Sequence, residues 1–425
     1  MANTRRKEEH NVNADIKVSR APDGALRDGD YIPGGKKFIL GLQHVFTMFG
    51  STVLVPILTG LNVSVALFGA GVGTLIFHLI TKKRIPAFLG SSFAYIPAII
   101  AVGASHGLEY AAGGLVVAGL LYIVFSAIIK MAGPGLINRL FPPIVTGPII
   151  MVIGLNLAPT AIDMASQNWA VALICLVTVT IVNIYGKGFI QLVPVLIGLI
   201  VGYIAALAFG IVDFTLIGQA PWFSIPAFTI AKFDVGVIML IAPLALVTII
   251  EHIGDVLAIA ATVEDDYMES PGLHRTVLAD GIAKAVSSFI GGAPVTTYSE
   301  NTGVLALTKV WNTQIMRIAA VIAIGLSFVG KLGAAIQTVP EPVIGGISII
   351  LFGMIASIGV RTVVENNVDF KASRNLIIAS VILVLGIGGA QFDLAIGSFQ
   401  LSLAGMALAA VAGLLLNLIL PRAEA

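Results

Sequence analysis

IPAFLGSSFAYIP (85–97) and GGAPVTTYSEN (291–301) are the two stretches whose reading decides the fold. Both sit in apolar surroundings, and both are too rich in Gly, Pro, Ser and Thr to continue as helix. Non-helical backbone at membrane depth leaves N–H and C=O groups unpaired, which is tolerated only inside protein or beside a cavity. Those groups then offer donors and acceptors to a polar ligand. The positive N-termini of helices that restart beside the breaks add to the pull on electron-rich oxygens.

Outward from these breaks the sequence is a series of apolar runs about 20 residues long, the length of a membrane-spanning helix. Hydropathy places segments near 38–58, 63–80, 85–104, 110–129, 141–160, 168–186, 189–211, 235–262, 276–292, 293–309, 313–330, 336–358, 373–391 and 397–420, fourteen in all. Hydrophobic residues make up 57% of the 425 and charged residues 11%, against about 25% charged in a soluble domain. With a mean hydropathy of +0.98 the chain is excluded from the soluble globular class. Ten-residue alternating strands, the mark of a membrane β-barrel, are not the pattern here.

The remaining charge is uneven. Residues 1–37 hold 8 of the 24 Lys and Arg and 6 of the 23 Asp and Glu, so a polar tail, 1–36, is expected ahead of the first span, with no cleaved signal peptide. Arg5, Arg6, Lys7, Lys17, Arg20, Arg27, Lys36 and Lys37 place that tail in the cytoplasm, and alternation puts Lys82, Lys83, Arg84, Lys130, Arg139, Lys187, Arg361, Lys371, Arg374 and Arg422 on the same side. The outer loops 160–168 and 391–396 carry no Lys or Arg, and the even span count leaves both termini inside. Lys232 and Lys331 are exceptions; Lys331 reads as a snorkelling side chain. Residues 1–30 read as a disordered tail without a transport role.

Net charge of +1 and a pI near 7.8 give no basic surface for nucleic acid. The single Cys175, in ALICLV, can form no intrachain disulfide and no Cys-rich metal site. Asp265-Asp266 stands alone in a loop, so no metal site is expected. No Walker motif points to ATP. Trp169, Trp222 and Trp311 fall near segment ends, as interfacial aromatic belts do.

A weak internal repeat organises the rest. FPPIVTGPIIMVIGLNLA (141–158) echoes VPEPVIGGISIILFGMIA (339–356), and Pro143, Gly147 and Gly154 align with Pro342, Gly346 and Gly353. Gln43-His44 similarly matches Glu251-His252, and the two broken stretches correspond at a similar offset. Seven segments per repeat is odd, so the halves have opposite topology. Inverted repeats with breaks in matching places point to a secondary transporter whose substrate sits near the membrane midplane.

Ionisable residues deep in such a membrane protein are functional candidates by default. Glu251, His252 and Asp255 lie in TIIEHIGDVL, Glu300 in TTYSENTGV and His44 in GLQHVFTMFG. Glu251 and Asp255 are four apart and share a helix face, while His252 points about 100° away. Two carboxylates so placed repel as anions, which favours a proton on one of them. The alternative is that these acids bond to Ser, Thr or Asn and only fix packing, and that His252 and His44 bridge helices. Glu300 reads either as a ligand or as a helix-start carboxylate stabilised by the dipole. Ser91, Ser92 and Phe93 occupy the matching place in the first break, where Phe93 becomes a candidate stacking platform. Asp280 and Lys284 are expected to pair with each other.

ENTGVLALTK (300–309) fits the signature of the nucleobase–ascorbate transporters: Gln, Glu or Pro, then Asn, any residue, Gly, four of any kind, Thr, and Arg, Lys or Gly. LQHVFTMFGSTVLVP (42–56), IPAFLGSSFAYIP (85–97), EHIGD (251–255), SPGLHR (270–275) and VGKLGAAIQTVPEPVIGG (329–346) also look like the bacterial uracil permeases of that family, over about residues 35–420. The resemblance implies an all-α polytopic fold of 14 transmembrane segments in two inverted seven-segment repeats, with short antiparallel strands in the broken third and tenth. It implies a core domain, 37–135 with 235–335, and a gate domain, 136–234 with 336–420. It further implies that Glu251 and Glu300 contact uracil by their side chains, that Phe93 and Ser299 give backbone N–H groups, and that Ser92 and Tyr298 line the pocket. His252, Asn301 and His44 would support these.

The chemistry agrees: uracil is flat, with two N–H donors for carboxylates and two carbonyls for backbone amides. A site that pairs specific polar groups rejects analogues lacking them, so cytosine, whose amine would face a donor, should be a poor ligand. One departure stands out: the enterobacterial uracil permease that the chain resembles has His at the position of Asp255, a His implicated in proton coupling in the family, and Gly at that of Ser299. Asp255, helped by Glu300, is therefore expected to handle the coupling proton. The expectation is a uracil:proton symporter with no cofactor beyond the proton gradient, dimeric through its gate domains, in the cytoplasmic membrane. Alternatives are a xanthine or urate symporter, an anion transporter of the same architecture, a channel or a membrane-embedded enzyme.

Overall fold

A computed structural model describes residues 24–133, 140–396 and 399–421. Arg5, Arg6, Lys7, Lys17, Arg20, Arg139 and Arg422 lie outside the described residues, as does most of the polar tail. The first half contains α1 (Gly34–Thr59), α2 (Val63–Ile80), β1 (Leu89–Ser91), α3 (Ile96–Ser105), α4 (Leu108–Ala132), α5 (Pro143–Asn156), α6 (Ala158–Ser166), α7 (Trp169–Tyr185), α8 (Pro194–Ala208) and the short α9 (Thr215–Gln219). The second contains α10 (Val235–Ile241), α11 (Ala245–Val263), α12 (Leu273–Phe289), β2 (Val295–Thr297), α13 (Ser299–Thr308), α14 (Thr313–Ser327), α15 (Gly330–Gln337), α16 (Glu341–Glu365), α17 (Ser373–Ile387), β3 (Gln391–Ile396), β4 (Phe399–Ala404) and α18 (Gly405–Ile419).

The sequence writes four helix starts locally. Asn62, Asn168, Asp234 and Asn312 each cap a helix by accepting a hydrogen bond from a backbone N–H two or three residues on. Gly60, at φ 76°, closes α1 in the left-handed conformation that glycine adopts without strain. Among the described residues, six helical spans are long and apolar enough to cross a membrane: 34–59, 63–80, 108–132, 143–166, 235–263 and 341–365. Six shorter apolar helices accompany them.

Packing falls into two sets. α12 packs on α4 and α2, and α14 packs on α2 and α1. Separately, α16 packs on α5, α6 and α7, and α17 packs on α5 and α18. Small residues permit the close approaches: a Cβ on Gly154 would meet the Phe352 carbonyl oxygen at 2.3 Å, and one on Gly346 the Ala172 carbonyl oxygen at 2.3 Å.

Several expectations need correction. The segment expected at 397–420 begins as a strand, and the loop expected at 391–396 is its partner: β3 pairs antiparallel with β4, Gln391 opposite Ala404 and Ile396 opposite Phe399. Apolar residues there alternate, Phe392, Leu394, Ile396 and then Phe399, Leu401, Leu403, a period of two that window-averaged hydropathy conceals. The loop expected at 160–168 is largely α6, which continues α5 after a break at Leu157. The segment expected at 336–358 starts only at Glu341, because Pro340 and Pro342 favour a helix start rather than continuation from α15.

The end of the tail is also packed. Ala25, Leu26 and Ile32 are buried; Leu26 bridges to Val310, and Asp28 accepts hydrogen bonds from the Thr313 backbone N–H and hydroxyl. Trp311 is buried rather than interfacial. The Arg27 guanidinium lies 4.5 Å from its ring centroid, and its indole N–H donates to the Leu305 carbonyl. The Lys331 ammonium donates to the carbonyls of Ile217 and Gly218 and holds α9.

Candidate functional site

The two broken stretches meet. Leu89, Gly90 and Ser91 of β1 face Thr297, Thr296 and Val295 of β2 in an antiparallel pair. Two further backbone bonds extend it, Ser92 N–H to the Pro294 carbonyl at 2.7 Å and Tyr298 N–H to the Phe88 carbonyl at 3.1 Å. The breaks therefore satisfy much of each other's backbone, the condition that irregular chain needs inside a membrane protein. Gly90 is required by crowding: a Cβ there would sit 2.3 Å from the Tyr298 ring and 2.7 Å from the Thr52 hydroxyl.

Each strand runs into a helix start. β1 leads through Ser92 into a tight turn, Phe93–Tyr95, and α3; β2 leads through Tyr298 into α13, opened by Ser299. The first N–H groups of a helix have no partner within it and carry the positive end of its dipole. Glu300 lies in that first turn of α13 and accepts a hydrogen bond from the Ser51 hydroxyl at 2.8 Å. The Tyr298 hydroxyl donates to the Ser91 carbonyl at 2.9 Å, and the Ser91 hydroxyl donates to the Thr52 carbonyl at 3.0 Å, which ties both strands to α1. The Phe93 ring is buried and meets Phe352 of α16 edge-on, centroids 6.2 Å apart.

α11 brings the other acids. The Thr297 hydroxyl donates to Asp255 at 3.0 Å and lies 3.2 Å from His252 Nδ1. Glu251 is half-buried and interacts electrostatically with Lys284, Asp280 and Glu300. Its Oε2 and the hydroxyls of Ser92 and Thr302 are buried without a hydrogen-bond partner in the protein. Unpaired polar atoms of this kind are costly, and here they lie on the elements that carry the strand pair and the acids. His44 and Asn301 pair with each other: Asn301 Nδ2 lies 3.0 Å from His44 Nδ1 and 3.2 Å from the His44 carbonyl oxygen.

Thus Ser92, Phe93, Tyr298, Ser299 and Glu300 are gathered by one strand pair, with His252 and Asp255 bonded to its edge and Glu251 on the same helix one turn before Asp255. His44 and Asn301 form a buried contact between α1 and α13.

Sequence reasoning missed the depth of one cluster. Asp280 and Lys284 do pair, 3.6 Å apart, but both are fully buried, and Tyr95, Tyr122 and Thr248 surround the ammonium. The signal was a lysine inside the apolar segment 276–292. Asp266 makes a turn, accepting from the backbone N–H groups of Met268 and Glu269.

Residues 35–394 match the permease family. The uracil permease of Bacillus caldolyticus is 49% identical, over 91% of this chain and 92% of the relative, and that of Bacillus subtilis 46% identical, over 90% and 92%. Among solved structures, the transmembrane domain of the cyanobacterial bicarbonate transporter BicA superimposes with a TM-score of 0.60 at 17% identity, over 90% of this chain and 96% of that one, a likeness of fold alone.

Proposed function

This chain belongs to the permease family of nucleobase–ascorbate transporters, and from that premise we propose that it imports uracil together with protons across the cytoplasmic membrane. It is a multi-pass membrane protein and a transporter, not an enzyme. The observation that carries the uracil reading is the β1–β2 pair. It sets an aromatic face, Phe93, two helix starts and the carboxylate of Glu300 around one polar break, with Glu251 nearby. Uracil fits that set: its two N–H groups suit Glu251 and Glu300, its carbonyls suit the backbone N–H groups of Phe93 and Ser299, and its ring suits Phe93.

The six long apolar helices, the six shorter ones, Leu273–Phe289 and the 293–309 segment together make fourteen segments in two inverted repeats. The set containing α1, α2, α4, α12 and α14 is the core domain, and the set containing α5 to α8 and α16 to α18 is the gate domain, through which two copies pair. Movement of core against gate exposes the site to either side. The coupling proton binds Asp255, with Glu300 assisting. A proton there neutralises a buried carboxylate, which lowers the cost of carrying the loaded site through a low-dielectric interior. Both termini are cytoplasmic.

An anion carrier is disfavoured by the acids at the site, and a channel would pass substrate downhill without saturation. A xanthine or urate symporter is the remaining rival. Radiolabelled uracil uptake into proteoliposomes under an inward proton gradient separates these readings. Uptake that overshoots equilibrium, collapses with protonophore and ignores excess xanthine supports uracil:proton symport. Xanthine accumulation without uracil uptake would overturn the substrate assignment.

A further inference from the structure

Lys284 is the sole lysine or arginine in the buried class among the described residues. It projects from α12 into a cage of three other elements. Its ammonium donates to the Tyr122 hydroxyl of α4 at 2.6 Å and to the Thr248 hydroxyl of α11 at 3.3 Å. It lies 4.0 Å from the Tyr122 ring centroid and 5.3 Å from that of Tyr95, which precedes α3. Asp280, one turn back, places Oδ2 3.6 Å away.

The carboxylate it neutralises is tied to the strand pair. Asp280 Oδ2 accepts a hydrogen bond from the Thr296 hydroxyl of β2 at 3.2 Å, and Oδ1 lies 3.6 Å from His252 Nδ1. His252 in turn meets the Thr297 hydroxyl, which donates to Asp255. A polar chain therefore runs from Lys284 through Asp280 to β2, and so to the residue that carries the coupling proton in the reading above. A second branch, through Thr248, reaches α11 one turn before Glu251. The site gathers four carboxylates, Glu251, Asp255, Asp280 and Glu300, and one fixed cation.

We propose that Lys284 is a positioning residue of the transport site: its buried ammonium is the built-in countercharge that holds Asp280, and through it β2 and α11, so that the acids meeting uracil and the proton keep their places. This rests on the reading of Asp255, Glu251 and Glu300 as the transport site. Removing one partner of a buried ion pair leaves an uncompensated charge and is far worse than removing both. A role in shape alone has no such signature.

The test uses purified full-length protein in three forms beside wild type: Lys284→Met, Lys284→Met with Asp280→Asn, and Lys284→Arg. Unfolding temperature without substrate and equilibrium uracil binding are measured for each. The expected order of unfolding temperature is wild type, then the double variant, then Lys284→Met. Lys284→Met should bind uracil about tenfold more weakly or worse, while the double variant and Lys284→Arg return to within about threefold of wild type. Lys284→Met binding like wild type, or a double variant no better than Lys284→Met, overturns the proposal. If Lys284→Met does not fold, the double variant decides alone: binding near wild type supports the countercharge, and a tenfold or greater loss, about 1.4 kcal/mol, removes it. Failure of wild type to bind uracil would instead strike the substrate reading, and the unfolding temperatures would still test the charge pair.

Discussion

From the first break, residues 85–105, the site receives the Ser92 hydroxyl, the Phe93 ring and a helix start; from the second, residues 291–308, it receives Tyr298, the Glu300 carboxylate and another helix start. The elements before the breaks differ in the same direction. α1 offers His44 and Ser51, whereas α11 offers Glu251, His252 and Asp255, and α12 adds Asp280 and Lys284. Matching positions thus share backbone form but not chemistry. The first half brings neutral donors and an aromatic face, and the second brings the acids. Backbone geometry can be duplicated with a fold, while charge must be placed singly, because each further buried carboxylate adds repulsion and desolvation cost. In the proposed reading, keeping the acids on one half would let substrate N–H groups and a coupling proton be read by adjoining side chains.

Substitutions in the two halves should therefore fail differently. The largest effect is expected from Glu300→Gln, which replaces an ionised acceptor with an amide that presents a donor to a substrate N–H. Loss of a charge-assisted bond together with an unpaired group should weaken uracil binding about a hundredfold. Equilibrium binding on purified protein measures it, and a loss under about threefold would contradict a carboxylate contact.

Asp255→Asn should act next most strongly, and on a different quantity. If Asp255 carries the proton, accumulation against a gradient is lost, while uracil exchange between equally loaded compartments survives within about threefold, because a neutral side chain of the same shape removes only the titration. Accumulation by the Asn variant would move the proton to another acid. A smaller effect is expected in the first half. Phe93→Ala removes an aromatic contact worth about 0.5–1.5 kcal/mol beyond its area, so affinity should fall about threefold to tenfold with accumulation retained. A Phe93 variant that lost accumulation but kept affinity would contradict the division between the halves.

Much of this was legible before the fold. Gly, Pro and Ser in 85–97 and 291–301 are local facts about backbone that mark the two breaks, whereas their pairing as short antiparallel strands was implied by the family resemblance. Glu251, Asp255 and Glu300 stood out because acids in apolar runs are rare. The hairpin 391–404 was hidden because hydropathy averaged over a long window cannot distinguish a period of two from a helix. The Lys284 cage was hidden for another reason. Spacing predicted the Asp280 pair but nothing about Tyr95, Tyr122 and Thr248, which come from three separate elements and meet only after packing. The docking of Leu26 and Asp28 was masked by the polar composition of the tail around them.

That docking supplies the smallest effect and bears on the same comparison, because the strap between 24 and 32 reaches the second half through Leu26 to Val310, Arg27 to Trp311 and the Val263 carbonyl, and Asp28 to Thr313, while Leu40 of α1 packs on the same Leu26–Ile32 cluster. It thereby joins the start of α1 to the ends of α11 and α13, outside the chemistry of the site. Arg27→Ala should remove a cation–π contact of about 0.5–1 kcal/mol, read as a small fall in unfolding temperature, and leave uracil affinity within about twofold of wild type. A tenfold loss of affinity with stability intact would mean that the strap transmits position to Glu300 through α13, and the contrast between the halves would then extend beyond the membrane-embedded acids to the segment that precedes them.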